Sequence, residues 1–185
     1  MVNKEVKGHM KQKLIFIIAL LCTVVQTAWG QTEVITEVGT EEALKAAVSN
    51  GGNIKMTIDI RLNSPLTITS GKTVTLDVNN HELSRSLSAA AANGNVIRVE
   101  EGGTLTIKDS SNGDFGYITG GWAERGGGIY NEGTLKIEGG NVNTNKSSYE
   151  GGGIWNKGTL YITGGEIGWN EAPRRVASTI SAQRP

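Results

Sequence analysis

The stretch that decides the fold is written twice, as GGGIYNEGTLKIEGGNV over residues 126–142 and as GGGIWNKGTLYITGGEI over residues 151–167. Equivalent positions lie 25 residues apart, as Gly126 and Gly151 do. Aliphatic side chains recur at Ile129 and Ile154, Leu135 and Leu160, Ile137 and Ile162, and Val142 and Ile167. Glycines recur at Gly133 and Gly158, Gly139 and Gly164, and Gly140 and Gly165. Lys136 and Tyr161, Glu138 and Thr163, and Glu132 and Lys157 change without restraint. A fixed period that holds only apolar and glycine positions marks a stacked repeat. Each unit divides at its glycines into three short strands, GIY, TLKIE and NVN in the first and GIW, TLYIT and EIG in the second. If consecutive units lie parallel about 4.8 Å apart, each residue sits over its counterpart and the aliphatic columns face inward. Asn131 then lies over Asn156 and Asn145 over Asn170, forming amide ladders that satisfy the corner backbone.

Working upstream, the phrase Thr, aliphatic, any, aliphatic starts at Thr73, Thr104, Thr134 and Thr159, with spacings of 31, 30 and 25 residues. LTIT from Leu66, NVIRVE from Asn95 and GYIT from Gly116 fall between these phrases as further short strands. KMTIDIRL reads as one strand with Met56, Ile58 and Ile60 on its buried face. The expected fold is all-β, a parallel β-helix solenoid of about four coils over residues 53–170. A short N-terminal capping α-helix precedes it within a cap over residues 31–52. Thr40 suits the N-cap, Glu41 and Glu42 suit the positive first turn, Leu44, Ala47 and Val48 share a face, and Asn50 to Gly52 stop the helix. That helix is placed to cover the open apolar end of the first coil, where bare strand edges invite aggregation. Residues 171–185 read as an irregular tail without a closing unit, so either truncation or end-to-end self-association at the uncapped C-terminal coil is expected.

The first thirty residues read as a cleaved signal peptide. Lys4, Lys7, Lys11 and Lys13 precede the apolar run Leu14 to Val25, and Ala28 and Gly30 place small residues at −3 and −1 before Gln31. The run is well short of the roughly 20 residues of a spanning helix, so no transmembrane span is expected in the mature chain. Met10 offers an alternative start. The only cysteine, Cys22, lies in this leader, which leaves neither a disulfide framework nor a thiolate metal site beyond it. Export makes the expected location secreted or cell surface.

Composition narrows the partners. Beyond the leader the chain has 14 basic and 17 acidic side chains. Nucleic acid is therefore not an expected partner. The 26 glycines among 185 residues are about twice the usual share, and they do not fall at every third place as in collagen.

NSPLTITSGKTVTLDVNNHELS from Asn63, GGTLTIKD from Gly102 and the two GGGI units together resemble the right-handed parallel β-helix proteins of the pectate-lyase-like superfamily, above all adhesin-like secreted or surface proteins of bacteria. Gly126 to Ile129 with Val142 to Asn145, and Gly151 to Ile154 with Ile167 to Asn170, are also similar to the GGA(I/L/V) and FxxN repeats of polymorphic outer-membrane proteins. They differ in Gly128 and Gly153 for alanine and in Val142 and Ile167 for phenylalanine. The likeness covers residues 53–170 and implies a right-handed solenoid with a surface role.

Enzymes of that superfamily use clustered carboxylates with calcium and a basic residue, or paired aspartates with a histidine. Beyond the leader this chain has Asp59, Asp77, Asp109 and Asp114, none doubled, and one histidine, His81, in a turn. Asp109 and Asp114 flank SSNG beside Lys108 and form the one arrangement that could take a cation or act as acid and base. GGGIYNEGT departs from the calcium-binding nonapeptide at its fourth and sixth positions. No catalytic residue, cofactor or metal is assigned. The functional candidate is aromatic: Tyr130 over Trp155, with Tyr161 on the neighbouring strand and Trp122 and Trp169 near corners. Such a row can stack on the sugar rings of a glycan, or its rings can stack on one another and shield the backbone. The expected function is a non-catalytic secreted or surface module, adhesive or glycan-binding, with a glycan or host-surface ligand as partner. The alternative is a fragment of a polysaccharide lyase or hydrolase.

Overall fold

The structure, a computed structural model, describes residues 23–26, 32–111, 113, 116–173 and 180–181. Alternation of aliphatic and polar residues in segments of two to seven residues, cut by glycine and asparagine, gives strands and almost nothing else. The architecture is all-β, built on parallel sheets, with a single α-helix among the described residues.

The first sheet runs in the order Thr32–Val38, Gly52–Met56, Thr73–Asp77, Thr104–Lys108, Thr134–Ile137 and Thr159–Ile162, all parallel, with Thr23–Gln26 added antiparallel at its start. The second holds Ile60–Arg61, Glu82–Ser84, Tyr117–Thr119, Asn141–Asn143 and Glu166–Gly168 in parallel, closed by antiparallel Ile180–Ser181. The third holds Leu66–Ile68, Ile97–Val99, Ile129–Asn131 and Ile154–Asn156. From Gly52 onward the chain visits the first, second and third sheets in turn, and each return adds the next strand.

Register follows the repeat. Leu135 pairs with Leu105 on one side and Leu160 on the other, Ile129 with Ile97 and Ile154, and Val142 with Ile118 and Ile167. These columns join one apolar cluster that runs from Val38 to Ile167. The corners are tight. A Cβ built on Gly158 would stand 2.0 Å from the Gly133 carbonyl oxygen, and Gly151 turns at φ +63°, so at these two places only glycine lets one unit rest on the next.

The helix Glu41–Asn50 forms as its sequence dictates. Thr40 is extended and its Oγ1 accepts the Ala43 amide at 3.1 Å, while Gly51 at φ +83° ends the helix and returns its amide to Ala47 and Val48. Buried Leu44, Ala47 and Val48 face the strands Thr32–Val38, Gly52–Met56 and Leu66–Ile68.

Five details differ from the reading of the sequence. KMTIDIRL is not one strand: the chain leaves the first sheet after Met56 and enters the second at Ile60, so Ile58 falls in the turn and is 52% exposed. The segment over residues 31–52 is more than a cap, since Thr32–Val38 is a full member of the first sheet. The repeat has a fourth strand, because Trp122–Arg125 and Lys146–Glu150 pair in parallel as a separate two-stranded sheet. In place of about four layers throughout, four parallel strands build the third sheet, whereas six build the first. The tail also contributes pairing, through Glu171 beside Lys146 and through Ile180–Ser181 on Glu166–Ile167. The expected leader covers residues 1–30, of which only Thr23–Gln26 are among the described residues, and there they form the antiparallel strand noted above. No described helix is long and apolar enough to cross a membrane.

Candidate functional site

Strand Ile129–Asn131 buries Ile129 and Asn131, so the intervening Tyr130 leaves on the opposite face. Asn131 fixes this geometry from below. Its Nδ2 donates to Asn156 Oδ1 and to the Thr159 carbonyl, the expected amide ladder. At the next corner Asn145 is fully buried; its Nδ2 donates to the carbonyls of Ile118 and Asn143, and its Oδ1 accepts the Gly121 amide. Asn170 Oδ1 in turn accepts the Asn145 amide at 2.9 Å.

Register sets Arg98, Tyr130 and Trp155 in one column on adjacent strands. The Tyr130 and Trp155 rings stack, with centroids 4.5 Å apart and planes 20° from parallel. The Arg98 guanidinium lies over Tyr130 at 4.3 Å. Because the strand of Tyr130 runs between those of Arg98 and Trp155, both faces of the tyrosine ring are occupied. Trp155 is last in its sheet among the described residues, and only one of its faces meets Tyr130. The Arg125 guanidinium lies over it, 5.9 Å from the centroid of its ring and 4.8 Å from that of Tyr149.

Carboxylates hold the cations of this column in place. Glu132 accepts Arg98 Nη2 at 3.0 Å and Lys157 Nζ at 3.3 Å, with the Tyr130 hydroxyl at 3.5 Å. Arg125 meets Glu124 at 3.3 Å and Glu150 at 3.6 Å. Ring stacking contributes about 0.5–1.5 kcal/mol, an exposed cation–π contact about 0.5–1 and a surface ion pair about 0–1. The column is thus a modest stabiliser and a stiff surface feature at once.

The three residues singled out from the sequence do not form one cluster. Tyr130 and Trp155 come together, whereas Tyr161 stands on the first sheet in register with Lys136, 55% exposed. A flat row of outward ring faces is therefore not what the column presents: stacking along the strand-to-strand direction turns the Tyr130 faces toward its neighbours. Trp169 is 82% exposed at φ +54°, and Trp122 carries Lys146 Nζ 5.5 Å over its ring. Sequence reading missed Arg98, Arg125 and Tyr149. Arg98 was findable, since it occupies the polar position of NVIRVE equivalent to Tyr130 in GIYN.

The aspartates are committed to turns. Asp109 accepts the amides of Asn80, Ser111 and Gly116, and Asp77 those of Asn79 and Ser110. Burial works to raise the Asp109 pKa, but the hydrogen bonds it accepts at Ser111, Gly116 and Asn80 outweigh it and hold the carboxyl below its ordinary value. Asp59 accepts the Glu82 amide at 2.9 Å and faces His81 Nδ1 at 3.3 Å. Asp114, the second member of the suspected carboxylate pair, lies outside the described residues. Among the described residues no three His, Cys, Asp or Glu side chains group to hold a metal.

Comparison with protein-family models, with curated proteins and with solved structures returns no match for this chain.

Proposed function

We propose that the chain winds as a right-handed parallel β-helix and serves as a non-catalytic, secreted or cell-surface module that binds glycan. The cyclic visiting of three sheets and the 25-residue register support the winding. The resemblance to adhesin-like proteins of the pectate-lyase-like superfamily supports the surface role. One observation carries the glycan reading: half-buried Trp155 ends a register-aligned stack, with one ring face on Tyr130, the Arg125 guanidinium 5.9 Å over its ring and no further strand beyond it in its sheet among the described residues. An indole face held rigid by such a stack is a platform for the apolar face of a sugar. Tyr161, on the other side of the corner at Asn156 to Gly158, is exposed, whereas Trp155 is half-buried. The lyase or hydrolase alternative gains nothing from Asp59, Asp77 and Asp109, whose oxygens serve backbone amides.

Glycan arrays followed by calorimetry test the site. Trp155→Ala is expected to weaken binding by roughly tenfold, Tyr161→Ala by less, and Tyr130→Ala only through loosening of Trp155. Unchanged affinity in Trp155→Ala removes the assignment. New unsaturated or reducing ends from uronate polymers, with or without calcium, would replace the binding module with the enzyme.

A further inference from the structure

Alternation in Glu82–Ser84 puts Leu83 inside, and the same parity carries Arg85 inside two residues later. Arg85 is only 7% exposed. Its Nη1 donates to the carbonyls of Asn93 at 2.8 Å and Asn95 at 2.9 Å, which fastens the far end of the loop over residues 86–94. That work uses one nitrogen of three. Nε is buried without a partner, and no hydrogen bond from the described residues reaches Nη2.

Charge is surplus to this structural duty. At other corners the chain ties carbonyls with neutral amides: Asn145 holds those of Ile118 and Asn143, and Asn95 those of Arg125 and Gly126. No carboxylate among the described residues pairs with Arg85. Glu41, whose field reaches it, gives its oxygens to Lys45 and Asn63. Burial pushes the guanidinium pKa down, yet arginine stays protonated in proteins. A buried cation with no carboxylate in contact is costly, and an anion bound against it offsets part of that cost.

We propose that Arg85 anchors a binding site for a carboxylate, held by the Nε and Nη2 edge while Nη1 stays on the loop. Two parallel N–H groups on one edge of a guanidinium match the two oxygens of a carboxylate. The cover is thin: residues 86–93 are serine, leucine, alanine and asparagine, and Ser88, Ala89, Ala90, Ala92 and Asn93 are exposed. The loop lies where later passages carry the strands Trp122–Arg125 and Lys146–Glu150, tethered by the amides of Leu87 to Gly120 and Ala91 to Trp122. A free small carboxylate and a carboxylate borne on a sugar share this chemistry. The site uses neither Trp155 nor Tyr161 and rests on no part of the glycan reading.

Thermal unfolding of the full chain at constant ionic strength, titrated with formate, galacturonate or chloride, tests it. Formate is expected to raise the midpoint saturably, as ligand binding to the folded state requires, and chloride is not. A matching rise with galacturonate identifies a sugar-borne carboxylate as the ligand; a rise with formate alone identifies a small free anion. Arg85→Lys, which keeps the charge and loses the fork, is expected to weaken the apparent affinity by roughly tenfold. Arg85→Gln, checked for folding by far-UV circular dichroism, should abolish the effect. If Arg85→Gln does not fold, the wild-type titrations decide alone. Equal shifts with formate and chloride, no shift with any carboxylate, or an undiminished shift in folded Arg85→Gln overturns the site.

Discussion

Residues 126–142 and residues 151–167 carry nearly the same phrase, yet they do not carry the same burden. Ile129, Leu135 and Ile137 are wholly buried, whereas Ile154, Leu160 and Ile162 are only partly covered. The difference lies in the neighbours. The first unit is paired on both sides, by Ile97–Val99 and Thr104–Lys108 before it and by the second unit after it. In the second unit, strands Ile154–Asn156 and Thr159–Ile162 are last in their sheets among the described residues, and only Glu166–Gly168 receives a further partner. Burial in a stacked repeat is therefore set by position in the stack, with sequence supplying only the eligibility.

Equivalent substitutions in the two units should separate them. Leu135→Ala opens a cavity enclosed on all sides and is expected to cost about 2–5 kcal/mol, while Leu160→Ala should cost about 1–2 kcal/mol because solvent already reaches the site. Denaturant midpoints for the two variants measure this, and equal losses would break the comparison. The corner amides give a smaller contrast. Asn145→Ala strands the Gly121 amide and the Ile118 carbonyl and should cost about 1–3 kcal/mol, against about 1 kcal/mol or less for half-buried Asn170. Hydrogen exchange sharpens the reading, since the Gly121 amide should lose protection in the first variant and keep it in the second.

The smallest effect is a pH dependence at the turn before the first unit. Asp109 has a folded pKa below its ordinary value, so between the folded and unfolded values the unfolded chain binds the extra proton. Its contribution is fully present above the unfolded value near about 4 and is lost as the pH falls through the folded one. Asp109→Asn should flatten the acid limb of a stability profile and leave the profile slope near neutrality unchanged. An acid limb of undiminished slope in the variant would remove Asp109 from its cause.

What was legible in the sequence was whatever side chains repeat. The aliphatic columns, the amide ladders and the Thr40 cap all follow from residue type at a fixed spacing. Lys146–Glu150 was not legible, because KSSYE has no aliphatic alternation and is held by backbone pairing to a partner 24 or 25 residues away. Ile58 misled because alternation persists through a turn that moves the chain to another sheet. At the candidate site the column was legible and the ring orientation was not, since register fixes Cα positions and leaves the side-chain torsions free. Arg98 and Arg85 show the same gap from the side of charge: parity assigns each its face, and only the assembled neighbours reveal whether a counter-ion awaits.

The glycine corners carry a lesson about how such a chain grows. Where a Gly158 Cβ would collide with a carbonyl one layer below, the spacing between layers admits no intermediate value. Inserting one residue inside a strand of either phrase would turn the remaining side chains of that strand to the wrong face, whereas the corners absorb length, since repeats spaced 31, 30 and 25 residues apart keep the same register. Because the two phrases pair in parallel at a 25-residue register in three sheets, duplicating the whole block is expected to offer each of those sheets one more strand without disturbing the pairs already made.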